Sequence, residues 1–397
     1  MTRTRRWAIT GALSVTETVS YGILYYAFAA FLVPMQRDLG YSTAELTGAF
    51  SAAILVSALA GVGVGRFLDR HSPRGLMTAG SVVGTLLVLA WSRVDGLAVL
   101  YAVWVGIGLV MAAVLYEAAF TVLAKHFAAP AERRRAMTAV TLVAALASFI
   151  FVPLSQALID AYGWRDALVI LAGILGAITV PLHALVLRPA PEPEAREVVD
   201  APSADAGSVL RSRDFWMLSA AFFLAQVAAV ALIVHAIPIL LERGHSATFA
   251  AFALGLVGLA QIPGRILFGP VAARVSPAWS TALVFAQVTG GIVLVATLSA
   301  PWAIVAGFVL LGMGNGMGTL ARATVIADRY GQAAYGTIGG VAASLTIAAR
   351  AAAPVAAAVY AAALGYDALL WTLAALALAA AVFGYRAELE DAPVGAT

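Results

Sequence analysis

The stretch Gly65-Arg66-Phe67-Leu68-Asp69-Arg70-His71-Ser72-Pro73-Arg74 breaks an otherwise apolar run with three arginines and one acid. It has an echo further along the chain. Sliding the sequence by 204 positions lays Gly65 on Gly269, Arg70 on Arg274, Ser72 on Ser276 and Pro73 on Pro277. The same shift lays Gly40 on Gly244, Ser42 on Ser246 and Leu55 on Leu259. A further match, at a shift of 206, lays Gly106 and Gly108 on Gly312 and Gly314. The chain therefore reads as two related halves.

Both halves are built for lipid. Of 397 residues, 62% are hydrophobic and 11% charged, against about half and about a quarter in soluble domains. A soluble fold of this size could not cover itself with so few polar groups, whereas a bilayer faces apolar side chains directly. Segments of about 20 apolar residues, enough to cross about 30 Å of hydrocarbon, are expected near 8–34, 43–65, 75–92, 97–124, 136–159 and 164–187. A second set is expected near 214–241, 246–268, 278–299, 301–323, 333–361 and 366–386. Backbone groups in lipid must bond internally, and the Ala, Leu and Val runs lack the alternation of a barrel, so these are helices. The first run is longer than a signal-peptide core and reads as a span.

Arginine and lysine orient the spans. With the N-terminus inside, seventeen of the 24 basic residues fall in inner segments, among them Arg3, Arg74, Lys125, Arg274 and Arg386. Only Arg37, Arg93, Arg165 and Arg243 fall outside. Both termini are expected in the cytoplasm, with a bacterial inner membrane as the expected location. Residues 188–213, with Pro189, Pro191, Pro193 and Pro202 among five acids, read as a linker. It separates an N-terminal bundle, 1–187, from a C-terminal bundle, 214–397. Six spans plus six in parallel repeat imply an all-α membrane fold with pseudo-two-fold symmetry and a solute cavity between the bundles.

The 65–74 loop resembles the signature loop of the major facilitator superfamily, Gly-x-x-x-Asp-Arg-x-Gly-Arg-Arg, departing from it at Ser72 and Pro73. The resemblance implies a twelve-helix secondary transporter in which Gly65, Asp69, Arg70 and Arg74 act in gating, with Asp69 latching a neighbouring helix. The arginines read equally as positive-inside anchors. Arg265-x-x-x-Gly269 and Gly163-Trp164-Arg165 are similar to the monocarboxylate and oxalate/formate branch, in which a span-eight arginine and a span-eleven cation are associated with carboxylate binding. Arg265 and Arg350 would fill those places. Gln261 stands where monocarboxylate carriers have an Asp, and span one carries Glu17 and no lysine.

Charges inside spans cost at least about 2.5–3.5 kcal/mol each, so they mark function. Arg350 lies near the middle of span eleven, with Thr346 and Pro354 on its face, and a guanidinium grips a carboxylate with two parallel bonds. Arg265, Arg322, Tyr21, Asn315 and Thr346 join it as candidate substrate ligands, and Thr319, Tyr116, Gln226 and Gln287 as lining candidates. Glu17, with Tyr21 and Tyr25 on its face, reads as a proton carrier or as half of an ion pair with an arginine. Glu117 and Arg322, at matching depths, read as an inner gate or a static bridge. Arg265 serves substrate or belongs to the second signature-like loop. His235 is a proton relay or a bonded structural residue.

The expected function is a secondary transporter of a small organic anion, working by alternating access as a monomer, with protons, carried through Glu17 or Glu117, as the expected coupling ion. The alternatives are a proton-driven exporter of drug-like or cationic compounds, binding at Glu17 and Glu117, and, further off, a solute-sensing receptor or channel. No metal-ligand pair at helical spacing, Walker loop or nucleophile arrangement points to an enzyme. No cofactor, metal or nucleic-acid partner is expected.

Overall fold

The computed structural model describes residues 3–127, 130–187, 206–330 and 335–389. Most of the 188–213 linker, up to 205, lies outside the described residues, as do the side chains of Asp69 and Arg70. The described residues form helices only. In the first half these are α1 (Arg3–Tyr21), a π-helical turn (Gly22–Tyr26), α2 (Ala27–Leu39), α3 (Thr43–Arg70), α4 (Pro73–Trp91), α5 (Leu97–Val114), α6 (Tyr116–His126), α7 (Pro130–Ala144) and α8 (Leu146–Val186). The second half has α9 (Ala206–Val209), α10 (Arg213–Glu242), α11 (Ala247–Ala272), α12 (Pro277–Thr297), α13 (Pro301–Tyr330) and α14 (Tyr335–Leu389).

Ten helical runs among the described residues are long and apolar enough to cross a membrane. Two of them are too long for one crossing. Arg135–Val186 has 52 residues and Ser344–Leu389 has 46, roughly 70–80 Å at about 1.5 Å per residue. Each contains one residue with non-helical torsions: Gly163 (φ 77, ψ 163) and Gly365 (φ 85, ψ 165). These left-handed positions suit glycine, which has no Cβ to clash. Dividing both runs at these glycines yields twelve segments, the number read from the sequence.

Helix ends explain much of the repeat. Ser42, Ser72, Ser246 and Ser276 each accept a backbone N–H from the first turn of the following helix. Pro73 and Pro277 open α4 and α12, where no amide donor is needed. The recurring Ser-Pro pairs are thus helix starts.

The recurring glycines are packing contacts. A Cβ on Gly108 would sit 2.4 Å from the Ala53 carbonyl oxygen, and one on Gly312 would sit 2.4 Å from that of Val257. Both contact partners are separated by 204 positions, so the structure matches Gly108 to Gly312 and corrects the shift of 206. Close backbone approach is how membrane helices associate without a hydrophobic drive between them. Gly108→Ala and Gly312→Ala are each expected to lower stability by about 1–3 kcal/mol. Gly63→Ala, where a Cβ meets nothing within 4 Å, is expected to leave the melting temperature near wild type. Equal melting temperatures for all three variants would contradict this account.

Two features differ from the expected spans. Span four, expected unbroken over 97–124, is interrupted at Leu115, whose backbone is extended (φ −92, ψ −171). Glu117 therefore stands in the first turn of a new helix, where an acid suits the positive end of the helix dipole. Span one carries the π turn, where Gly22 leaves room for the Phe151 ring: a Cβ there would lie 2.2 Å from it.

The helices fall into two compact units. One comprises 1–196 with 236–255, and the other 197–235 with 256–397. In the first, Ile9, Leu13, Met77, Leu123, Phe127 and Val140 form one buried cluster. Further along the same unit, Phe28, Phe50, Trp91 and Trp104 pack face-to-face and edge-to-face with ring centres 4.7–6.5 Å apart. In the second, Phe222, Phe268, Phe285, Met317 and Ala321 belong to another cluster.

Candidate functional site

The second unit holds a cavity of about 530 Å3, including its open mouth. Four helices build it. Phe222, Ala225, Gln226 and Ala229 come from α10, at the three- and four-residue spacing of one helix face. Phe285 and Val288 come from α12, Asn315, Thr319 and Arg322 from α13, and Thr346 and Arg350 from α14. Gly314 and Gly318 complete the wall, and a Cβ on Gly314 would lie 2.8–2.9 Å from Val288 and the Val284 carbonyl.

The cavity is two-sided. Phe222, Phe285 and Val288 make an apolar wall. Opposed in chemistry to these are two guanidiniums, two hydroxyls and two amides, and no Asp or Glu is among the lining residues. The Thr346 and Thr319 hydroxyls donate to the carbonyls of Ala342 and Asn315, at 3.0 Å each, which leaves their oxygen lone pairs as acceptors. The Nε of Arg350 is buried and finds no hydrogen-bond partner among the described residues. Such an unmet donor on a cation costs free energy unless a ligand satisfies it.

Of the six residues read as substrate ligands, the structure thus brings Arg350, Arg322, Asn315 and Thr346 to one cavity. Arg265 is outside its lining and is half-buried, with a guanidinium nitrogen donating to Gln261 Oε1 at 2.9 Å. Tyr21 belongs to the other unit. Gln287 is also outside the lining and donates to the Leu283 carbonyl and the Met317 sulfur. Sequence reasoning missed the apolar wall of Phe222, Phe285 and Val288. Their helix-face spacing was present, but every span here has an apolar face.

In the first unit, Glu17 is 0% exposed. Neither carboxylate oxygen has a hydrogen-bond partner among the described residues. One turn on, Tyr21 lies 4.6 Å from Tyr116 between ring centres, and the π turn carries Tyr25 onto Phe50 at 5.3 Å. Tyr116 stacks on Phe120 at 5.2 Å. π turns within helices are frequent at functional sites. Glu117 is exposed beside this cluster.

The remaining candidates sit elsewhere. His235 is buried in the second unit, its Nε2 2.8 Å from the Pro354 carbonyl oxygen. Gly65 lies in α3, Arg74 is exposed in the first turn of α4, and Lys125 donates to the Leu68 carbonyl in the last turn of α3. On the far side of the first unit, the Arg165 guanidinium donates to Asp38, Asp95 and the carbonyls of Ser92 and Val94. It also stacks over Trp164 at 4.3 Å. Its role there is structural: it ties the start of the last span to two other chain turns. Among the described residues, no group of three His, Cys, Asp or Glu gathers as a metal would need.

The model of the major facilitator superfamily matches residues 16–354, most of the chain. The chain belongs to the major facilitator superfamily. It is accordingly an integral membrane transporter and not an enzyme. Among curated relatives, monocarboxylate transporter 13 of Bos taurus is 26% identical over 334 residues, covering 82% of this chain and 75% of that one. The oxalate:formate antiporter of Oxalobacter formigenes is 24% identical over 269 residues, covering 66% and 62%. An MFS-type efflux pump of Mycolicibacterium smegmatis is 28% identical over 286 residues, covering 69% and 65%. The crystal structure of a bacterial homologue of the human lysosomal transporter Spinster superposes with a TM-score of 0.76 at 15% identity, covering 98% of both chains. That likeness concerns the superfamily fold.

Proposed function

We propose that this major facilitator protein carries a small organic anion, a carboxylate, across the membrane by alternating access. The observation that carries the reading is Arg350, whose buried Nε has no partner among the described residues, in a cavity whose described lining holds a second guanidinium and no acid. A carboxylate supplies the acceptor that Arg350 lacks, and its charge suits a wall of fixed cations. Asn315, Thr346 and Arg322 then help to orient it, and the apolar wall takes its carbon skeleton. Two relatives, a monocarboxylate transporter and an oxalate:formate antiporter, support the same class.

In this reading Glu17 is the proton site, since a buried carboxylate can take up and release a proton as its surroundings change. Asp69, Arg70 and Arg74 act at the inner loop, and Glu117 is the second acid available for proton coupling. The bundles are 1–187 and 214–397, the termini are cytoplasmic, the membrane is a bacterial inner one and a single chain suffices.

A second reading has one observation in its favour. Buried Glu17 lies one turn from a group of tyrosines, chemistry that suits an organic cation, and one relative is an efflux pump. Thermal melting separates the two readings. Formate, lactate, oxalate and benzoate are compared with tetraphenylphosphonium, ethidium and glucose. A ligand at 100 times its Kd raises stability by about 2.7 kcal/mol. Stabilisation by carboxylates alone is expected. Stabilisation by the two cations and by no carboxylate would overturn the first reading in favour of the second.

A further inference from the structure

We infer that His235 is a positioning residue that holds Arg350 in its binding orientation. The inference rests on the carboxylate reading above and concerns a residue outside the cavity lining. It starts from a weakness in α14. Pro354 has no amide hydrogen, so the carbonyl of Arg350 loses the donor that a helix normally supplies four residues on. The proline ring also pushes against that carbonyl. The turn that carries Arg350 therefore lacks one of the hydrogen bonds that α14 would otherwise supply.

His235 supplies the missing constraint from α10. Its ring is 0% exposed, and Nε2 lies 2.8 Å from the Pro354 carbonyl oxygen. A carbonyl only accepts, so Nε2 carries the proton and donates. Nδ1 then presents a lone pair, and the Tyr366 hydroxyl stands 3.4 Å from it. Tyr366 follows directly on Gly365, the left-handed break in α14. The histidine thus pins one helix at two places, on either side of its break at Gly365, from a neighbouring helix. Its partners are a backbone carbonyl and a phenol, so a neutral imidazole in one tautomer meets the geometry. That arrangement suits a fixed strut better than a proton relay.

The distance from strut to site is one helical turn. Arg350 precedes Pro354 by four residues and so projects from the same face as the tethered carbonyl. α10 also contributes Gln226 and Ala229 to the cavity wall. One helix therefore both lines the cavity and fixes the helix that carries its cation. Loss of the tether lets the Arg350 turn rotate, and small misplacements of a binding group cost up to about hundredfold.

Four variants test this, with lactate, oxalate and benzoate titrated singly by calorimetry and unliganded melting measured alongside. Gln places its amide nitrogen where the imidazole Nε2 stands, so His235→Gln keeps the donor to Pro354. Asn is one bond shorter and fails to reach. We expect His235→Ala and His235→Asn to weaken carboxylate binding roughly tenfold to hundredfold, and His235→Gln to restore it to within about threefold. Arg350→Ala serves as the reference for complete loss. If Arg350→Ala abolishes binding while His235→Ala keeps the wild-type Kd, the strut is overturned and the carboxylate reading stands. A His235→Gln protein that melts like wild type yet binds no better than His235→Ala also overturns the strut. If no carboxylate binds wild type, or Arg350→Ala binds as wild type does, the carboxylate reading falls and the strut with it.

Discussion

Arg350→Ala is expected to abolish carboxylate uptake and to remove most of the ligand-induced rise in melting temperature. Truncating one partner of a buried, hydrogen-bonded charge pair costs about 2–5 kcal/mol, or roughly thirtyfold to several-thousandfold in Kd. A ligand at 100 times the wild-type Kd stabilises by about 2.7 kcal/mol. With binding thirtyfold weaker, the same concentration stabilises by only about 0.9 kcal/mol, and by less if the loss is greater. The unliganded protein should behave in the opposite sense. The substitution deletes a buried guanidinium nitrogen that has no partner among the described residues, so melting without ligand should hold or rise. This split separates a lost ligand contact from a damaged fold. Arg350→Lys keeps the charge and loses the planar fork, and should fall between wild type and alanine. A carboxylate-induced shift of wild-type size in Arg350→Ala would sink the assignment.

Much of this fold is legible because its signals are local. Ser72-Pro73 and Ser276-Pro277 announce helix starts through their own chemistry, a hydroxyl that caps and a ring that needs no donor. Charges are legible for a related reason. Lipid makes each one expensive, so Arg322, Arg350 and Glu17 stand out against any apolar background. What the sequence conceals depends on packing. The break at Leu115 has no proline or glycine to mark it. The π turn at Gly22–Tyr26 begins at a glycine packed against the Phe151 ring, which is more than a hundred residues away. The repeat of Gly-x-Gly at 106–108 and 312–314 superposes both glycines at a shift of 206 and only one at 204, yet the contacts with Ala53 and Val257 choose the shift of 204. The direction in which an arginine faces is similarly hidden. Arg265 and Arg350 look alike as charges within spans, yet Arg265 bonds Gln261 outside the cavity lining while Arg350 lines the cavity.

Glu17→Gln should separate binding from energy coupling. Glu17 is 0% exposed, with both oxygens unpartnered among the described residues. An ionised carboxylate in such a place costs several kcal/mol without compensation. A bound proton cancels that charge, and glutamine imitates the protonated shape while having no proton to release. The variant should therefore fold, bind carboxylates as wild type does and still exchange labelled for unlabelled substrate across vesicle membranes. It should no longer use a pH gradient. One pH unit corresponds to about 1.4 kcal/mol per proton, enough for about tenfold accumulation when one proton moves with each solute. Wild type should approach that ratio, and Glu17→Gln should stay near equal concentrations on both sides. Glu17→Asp keeps an acid but withdraws it by one methylene, so coupling should weaken without vanishing. The second reading makes the opposite forecast for binding: if Glu17 holds an organic cation, Glu17→Gln loses tetraphenylphosphonium binding outright, whereas the proton site leaves carboxylate affinity intact. Gradient-driven accumulation at the wild-type ratio in Glu17→Gln would remove Glu17 from the coupling path.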